Sequence, residues 1–159
     1  MPNRHDIHVL NALIGATLDS AERLERVSQD SDNPDHGSLF RSLAAERRDM
    51  AKVLSDTVRS LGGQPHDGGS ILAKAQQAVM DVGHALMPVE AGVVGVADRG
   101  EAALDRRFEA AIKDDRLAAT TRETLRRAHA AIHRETRDVH DLRTSLESRR
   151  DAGSGLYPQ

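Results

Sequence analysis

Four long stretches of this chain, roughly residues 6–30, 36–61, 89–114 and 117–150, repeat apolar side chains at helical spacing, with glycine, proline or polar breaks between them. A period near 3.6 gives each stretch one apolar face, and that face must be buried against another. A shorter fifth stretch, 70–87, shares the pattern. The expected class is all-α, built by helix-on-helix packing.

In the first stretch Val9, Leu10, Leu13, Ala16, Thr17, Ser20, Leu24 and Val27 share a face, and Asn3 or Asp6 can cap its start. The polar run 28–38 reads as a loop rich in turn formers. The second stretch turns Leu39, Leu43, Met50, Leu54 and Leu61 inward, and Gly62-Gly63 with Pro65 stops it. Ser70 can cap the short helix 70–87, whose inner side is Ile71, Leu72, Ala75, Val79, Val82 and Leu86, and Pro88 ends it. The next stretch faces inward through Val93, Val96, Ala97, Ala103, Leu104, Phe108 and Ala111. Lys113-Asp114-Asp115 marks a short turn, and the last stretch uses Leu117, Leu125, Ala128, Ile132, Val139, Leu142 and Leu146. Residues 1–150 are thus expected to form a single bundle, with 151–159 as a disordered tail.

The breaks set the wiring. Short connections make an antiparallel hairpin of the first pair of long helices and another of the last pair. The helix over 70–87 spans about 27 Å at roughly 1.5 Å per residue, enough to carry the chain back along the bundle. The second and third long helices then run parallel. One long crossover between two hairpins is the ferritin-like arrangement: a four-helix bundle with an additional short helix in the central crossover.

Composition narrows the function. Aromatic residues make up only 2% of the 159 residues, so the core must be aliphatic and closely packed. Cysteine is absent, which excludes disulfides, thiolate zinc sites and cysteine nucleophiles. The opening MPNRHDIHVL lacks the pattern of a signal peptide, and no run approaches the length of a membrane span, so a cytoplasmic protein with no membrane partner is expected. Net charge is −3, yet residues 117–150 carry eight arginines against five acids, leaving +3 there and −6 elsewhere. Such a stripe is ordinarily a solvated face paired with its neighbours. An adaptor would instead present a continuous basic strip through Arg122, Arg126, His129, His133 and Arg137 to an acidic partner. Nucleic acid is not an expected partner, because stacking aromatics and a strong basic field are both missing. Gly62-Gly63 and Gly68-Gly69 flank helices and form no phosphate loop, and no serine and histidine are placed as a nucleophile–base pair.

Three stretches carry a resemblance: VLNALIGATLDSAERL (9–24), LFRSLAAERRDMAKVLSDTVRSLGGQP (39–65) and ADRGEAALDRRFEAAI (97–112), the last built around Arg99-Gly100-Glu101 and Phe108. Over about residues 7–147 the chain resembles a bacterial family of ferritin-like four-helix-bundle proteins of unknown function. The resemblance implies the bundle fold. It implies no particular activity, since its motifs are structural.

A two-metal centre in such a bundle takes a Glu from each of two helices and a Glu-x-x-His from each of the others. This chain has no Glu-x-x-His. Glu22 and Glu25 lie away from their apolar face, while Glu46 and Glu101 lie on the flanks of theirs, and Glu90 is a further carboxylate on the third long helix. Glu135 falls within the apolar stripe of its helix, where an unpaired carboxylate is costly. A remnant metal site would use Glu46, Glu101 and Glu135. The competing expectation pairs Glu135 with Arg47, at the border of the second helix's apolar face, or with a histidine, fixing register without chemistry. A second candidate is the stripe His129, His133 and His140, within about 40° on a helical wheel, whose i,i+4 pair suits a divalent ion such as zinc or nickel.

The expected function is therefore that of a non-catalytic ferritin-like bundle without cofactor, acting through a homodimer formed by helix faces or through a protein partner. The alternative is an iron- or manganese-carboxylate protein with an oxidase or iron-handling role in stress physiology.

Overall fold

The computed structural model describes residues 3–67 and 89–154. Four helices account for nearly all of them: α1 (Arg4–Asp30), α2 (Pro34–Ser60), α3 (Val89–Ile112) and α4 (Ala119–Ser154), with no strand among the described residues. The helix expected over 70–87 lies outside the described residues. So do 155–159 of the expected tail, but its first four residues, 151–154, continue α4.

Local chemistry explains the helix ends. The α1–α2 connection is only residues 31–33, shorter than the loop expected over 28–38. Asn33 Oδ1 accepts from the Asp35 amide at 2.9 Å and the His36 amide at 3.4 Å, and Pro34 follows at the first helical position, so α2 starts early. At the far end Gly62 turns the chain with φ +84°, and the Gly63 amide closes onto the Val58 carbonyl at 3.0 Å. Asn3 stands at the N-cap of α1 as expected, but its side chain makes no capping bond, and Asp6 does not cap this helix. The Asn3 amide reaches the Leu61 carbonyl at 3.4 Å, and buried Asp6 accepts from the Ala118 amide at 3.2 Å and the Thr121 hydroxyl at 2.7 Å, closing the start of α4.

Cross-helix pairs establish the direction of each element. His5 meets Asp114, Ser20 meets Glu101 and Ser31 meets Glu90, so α1 and α3 are antiparallel. His36 meets Glu90 and Arg47 meets Glu101, so α2 and α3 are parallel. Asp105 meets His133 and Asp98 meets His140, which makes α4 antiparallel to α3. The connection from α2 to α3 leaves the end of the bundle where Gly63 packs against Ile7, and rejoins at the other end, where Glu90 holds Ser31. This is the ferritin-like wiring.

Packing divides into two apolar blocks. One holds Leu10, Leu13, Ile14, Leu54, Val58, Leu104, Phe108, Leu117, Leu125 and Ile132. The other holds Leu24, Val27, Phe40, Leu43, Ala44, Val93, Val94, Ala97 and Val139. Phe40 takes the inward position expected of Leu39, which is 36% exposed, and Ala103 also faces out. Between the two blocks each helix buries at least one polar residue, namely Thr17 and Ser20, Arg47, Asp98 and Glu101, and Glu135 and Thr136, beside the small apolar Ala21 and Ala51.

Candidate functional site

The layer between the blocks takes one residue from each helix: Ser20 of α1, Arg47 of α2, Glu101 of α3 and Glu135 of α4. Arg47 is fully buried, Glu101 is 1% exposed and Glu135 is 9% exposed. The Arg47 guanidinium donates through Nε, at 3.1 Å, and through Nη2 to Glu101 Oε2, and through Nη1 to Glu135 Oε2 at 2.5 Å. Ser20 Oγ donates to the other oxygen of Glu101, and Thr136 Oγ1 donates to the Glu101 carbonyl at 3.4 Å. Arg47 is the partner expected for Glu135. That the same guanidinium also holds Glu101 could not be read from a single helix face.

Electrostatics explains how these charges stay buried. Burial works against the charge on Arg47, but Glu101 and then Glu135 outweigh it and hold its pKa above the ordinary value. One guanidinium for two carboxylates leaves the layer short of positive charge. Arg23 of α1 supplies part of the balance: burial lowers its pKa, against the opposing pull of Glu101 and Asp19. The remaining imbalance falls on Glu135, whose carboxyl is pushed up by burial and by a hydrogen bond with Glu46, against the pull of Arg47. Glu46 itself is exposed.

Ferritin-like bundles build a two-metal centre in the core from side chains on facing helices. The residues present do not match that donor set. Among the described residues no histidine joins the layer, Glu46 is exposed and reaches it only through Glu135, and the guanidinium lies between Glu101 and Glu135 where a cation would need to sit.

The histidine stripe divides in two. His129 and His133 converge on Asp105 of α3: His129 Nε2 lies 2.9 Å from Asp105 Oδ1, and His133 Nδ1 lies 3.1 Å from the same oxygen. His140 goes instead to Asp98, at 3.2 Å, which also accepts from Arg143 at 2.6 Å. The acids Asp98 and Asp105 had no role in the sequence reading, because only the register of α3 against α4 sets them opposite these histidines. A continuous basic strip is not what results. Arg122 folds back onto the Asp114 carbonyl at 2.7 Å, and Asp105 sits against both His129 and His133.

A cavity of about 430 Å³ opens between α1 and α3, with Asn11, Asp19, Arg23, His66, Gly100 and Arg107 in its wall. A Cβ at Gly100 would stand 2.5 Å from the Arg23 guanidinium, so a side chain there would displace Arg23. At the ends of the bundle other carboxylates act as clips. Glu90 accepts from Ser31 at 2.8 Å and the Asp32 amide at 2.9 Å and meets His36 Nδ1 at 2.6 Å. Burial raises its pKa, but these bonds outweigh it and hold the carboxyl below its usual value.

Comparison with known proteins matches residues 5–114 to the family described as "Domain of unknown function (DUF2383)". The chain belongs to the DUF2383 family. The matched region takes in α1, α2 and α3 and stops before α4, so the Glu135 and histidine positions lie beyond it. No curated protein matches the chain. Among solved structures, this DUF2383 protein is similar to a mutant of Mycobacterium smegmatis Dps1, with a TM-score of 0.73 and 13% identity over 88% of this chain and 95% of the other. At that identity the likeness concerns the fold, which it establishes as a ferritin-like helical bundle. No helix among the described residues is long and apolar enough to cross a membrane.

Proposed function

We propose that this member of the DUF2383 family is a cytoplasmic, non-catalytic bundle that acts by self-association. The observation that carries this reading is Arg47, which sits between Glu101 and Glu135 and pairs with the carboxylates a two-metal centre would need. The alternative, an iron or manganese carboxylate protein, requires that guanidinium to leave a fully buried position. The candidate contact surface is the outer face of α2. Leu39 and Val53 are the large exposed apolar side chains there, 36% and 56% exposed, and they lie two heptads apart on one side of the helix.

Sedimentation velocity on tag-free full-length protein, with elemental analysis after incubation with ferrous iron, tests both halves. The reading expects concentration-dependent association weakened by Val53→Glu, and no tightly held iron. Two equivalents of iron or manganese lost in a Glu101→Ala variant would replace it with the metal-carboxylate alternative.

A further inference from the structure

The cluster of Asp105, His129 and His133 lies outside the polar layer, in the seam between α3 and α4. We propose that these three side chains bind one zinc(II) ion. The sequence places the histidines one turn apart in His129-Ala-Ala-Ile-His133, so both rings project from the same side of α4. Their centroids are 5.5 Å apart with the rings tilted at 45°. The antiparallel register then brings Asp105 across, and the three donor atoms all lie within 4.8 Å of one another.

A second observation marks the group as more than a surface ion pair. His129 Nε2 is buried and makes no hydrogen bond, although Asp105 Oδ1 is only 2.9 Å away. The distance fits but the ring nitrogen is not aimed as a hydrogen bond requires. A buried nitrogen left in this state is costly, and a metal ion satisfies it in a way the carboxylate does not.

Two imidazole nitrogens and one carboxylate oxygen, at about 2.0–2.2 Å from the ion, are a donor set zinc takes in tetrahedral form with a fourth position for water. The wider separations in the cluster close by rotation of His133, which is 51% exposed and has room to move. The exposed side of His133 leaves the fourth position facing solvent. Nitrogen donors favour zinc over manganese or magnesium, which prefer oxygen cages. Because the ligands come from two helices, the ion pins α3 to α4, and it stabilises the fold by an amount that grows with the logarithm of free zinc over its dissociation constant.

The test uses full-length protein purified without a histidine tag and dialysed against chelator. Titration with zinc chloride is followed by calorimetry, with cobalt(II) chloride as a spectroscopic stand-in. One equivalent should bind, with a dissociation constant of about micromolar or tighter, and cobalt should show the intense visible bands of a four-coordinate ion. Zinc affinity should fall by about tenfold or more in His133→Gln and in Asp105→Asn, and stay unchanged in His140→Gln. His133 is exposed, so His133→Gln tests the site with the fold intact, which circular dichroism verifies. Zinc should also raise the thermal midpoint of the parent and leave that of His133→Gln where it was. Absence of saturable binding, or binding that persists in the His129→Gln/His133→Gln double variant, overturns the proposal.

Discussion

Arg47 and Glu101 are joined twice through a single carboxylate oxygen, with guanidinium Nε and Nη2 both donating to Oε2. That leaves Nη1 to reach Glu135 on a third helix, so one side chain from α2 ties down α3 and α4 together. Both carboxylates depend on the same cation, and the consequences of removing it are unequal.

Substituting Arg47→Met removes the one guanidinium that is hydrogen-bonded to both buried carboxylates. Breaking a buried pair by deleting one partner typically costs roughly 3–5 kcal/mol. Urea denaturation followed by circular dichroism should show a loss of that order. The triple variant Arg47→Met/Glu101→Leu/Glu135→Leu should recover most of it, because the desolvation cost goes together with the pair. A triple variant as unstable as the single one would mean that the layer contributes more than charge balance.

Glu135 gives the bundle a pH dependence of unusual sign for a carboxylate. Its pKa is raised from 4.5, by burial first and then by the hydrogen bond with Glu46, so the folded state holds the proton more tightly than the unfolded chain does. Its contribution is fully present below 4.5 and declines as pH rises through the folded value. Replacing Glu46 by Gln turns that neighbour into a donor to the carboxylate and removes its charge. The slope of unfolding free energy against pH between 4.5 and neutrality should therefore become less negative in Glu46→Gln. Identical slopes in the two proteins would rule out this account of Glu135.

Asp6 caps a helix that lies far from it in sequence. Asp6→Ala leaves the Ala118 amide and the buried Thr121 hydroxyl without their acceptor. A loss of about 1–2 kcal/mol is expected, as for other removed caps, and Asp6→Asn, which keeps an acceptor oxygen, should lose less. Hydrogen exchange should localise the effect to the first turn of α4. Faster exchange confined to the first turn of α1 would show that Asp6 acts on its own helix instead.

The Asp114 carboxyl lies at a pKa of about 2, lowered from 3.8 chiefly by the hydrogen bond from His5 and then by the Arg116 amide. Its favourable contribution is present above 3.8 and is lost as pH falls through about 2. In His5→Gln a carboxyl titration by carbon NMR should find Asp114 shifted back toward 3.8. A titration unchanged by that substitution would assign the shift to the Arg116 contacts.

Periodicity and breaks were enough to locate the four helices and their wiring, because an amphipathic face is written residue by residue along a single helix. They also exposed Glu135 as a carboxylate in the wrong place and pointed to Arg47 as its partner, since burying a lone charge costs too much to go uncompensated. Helix starts and stops were legible only where the chemistry was local. The Gly62-Gly63 stop of α2 was read correctly, whereas Asn33 and Pro34 begin α2 inside the stretch expected as a loop, and Asp6, expected to cap its own helix, caps another.

What the chain could not reveal by itself was anything that depends on the register between helices. The pattern along α3 marks Glu101 on the flank of its apolar face but does not say that Arg47 holds it, that Asp105 faces His129 and His133, or that Asp98 meets His140. These partners are 24 to 54 residues apart, and only the antiparallel packing of α3 on α4 and the parallel packing of α3 with α2 sets each pair at one level. The sequence alone determined that a charge must be compensated inside this bundle. Tertiary structure decided that the Arg47 guanidinium also holds Glu101, because pairing requires proximity and proximity across helices comes from packing.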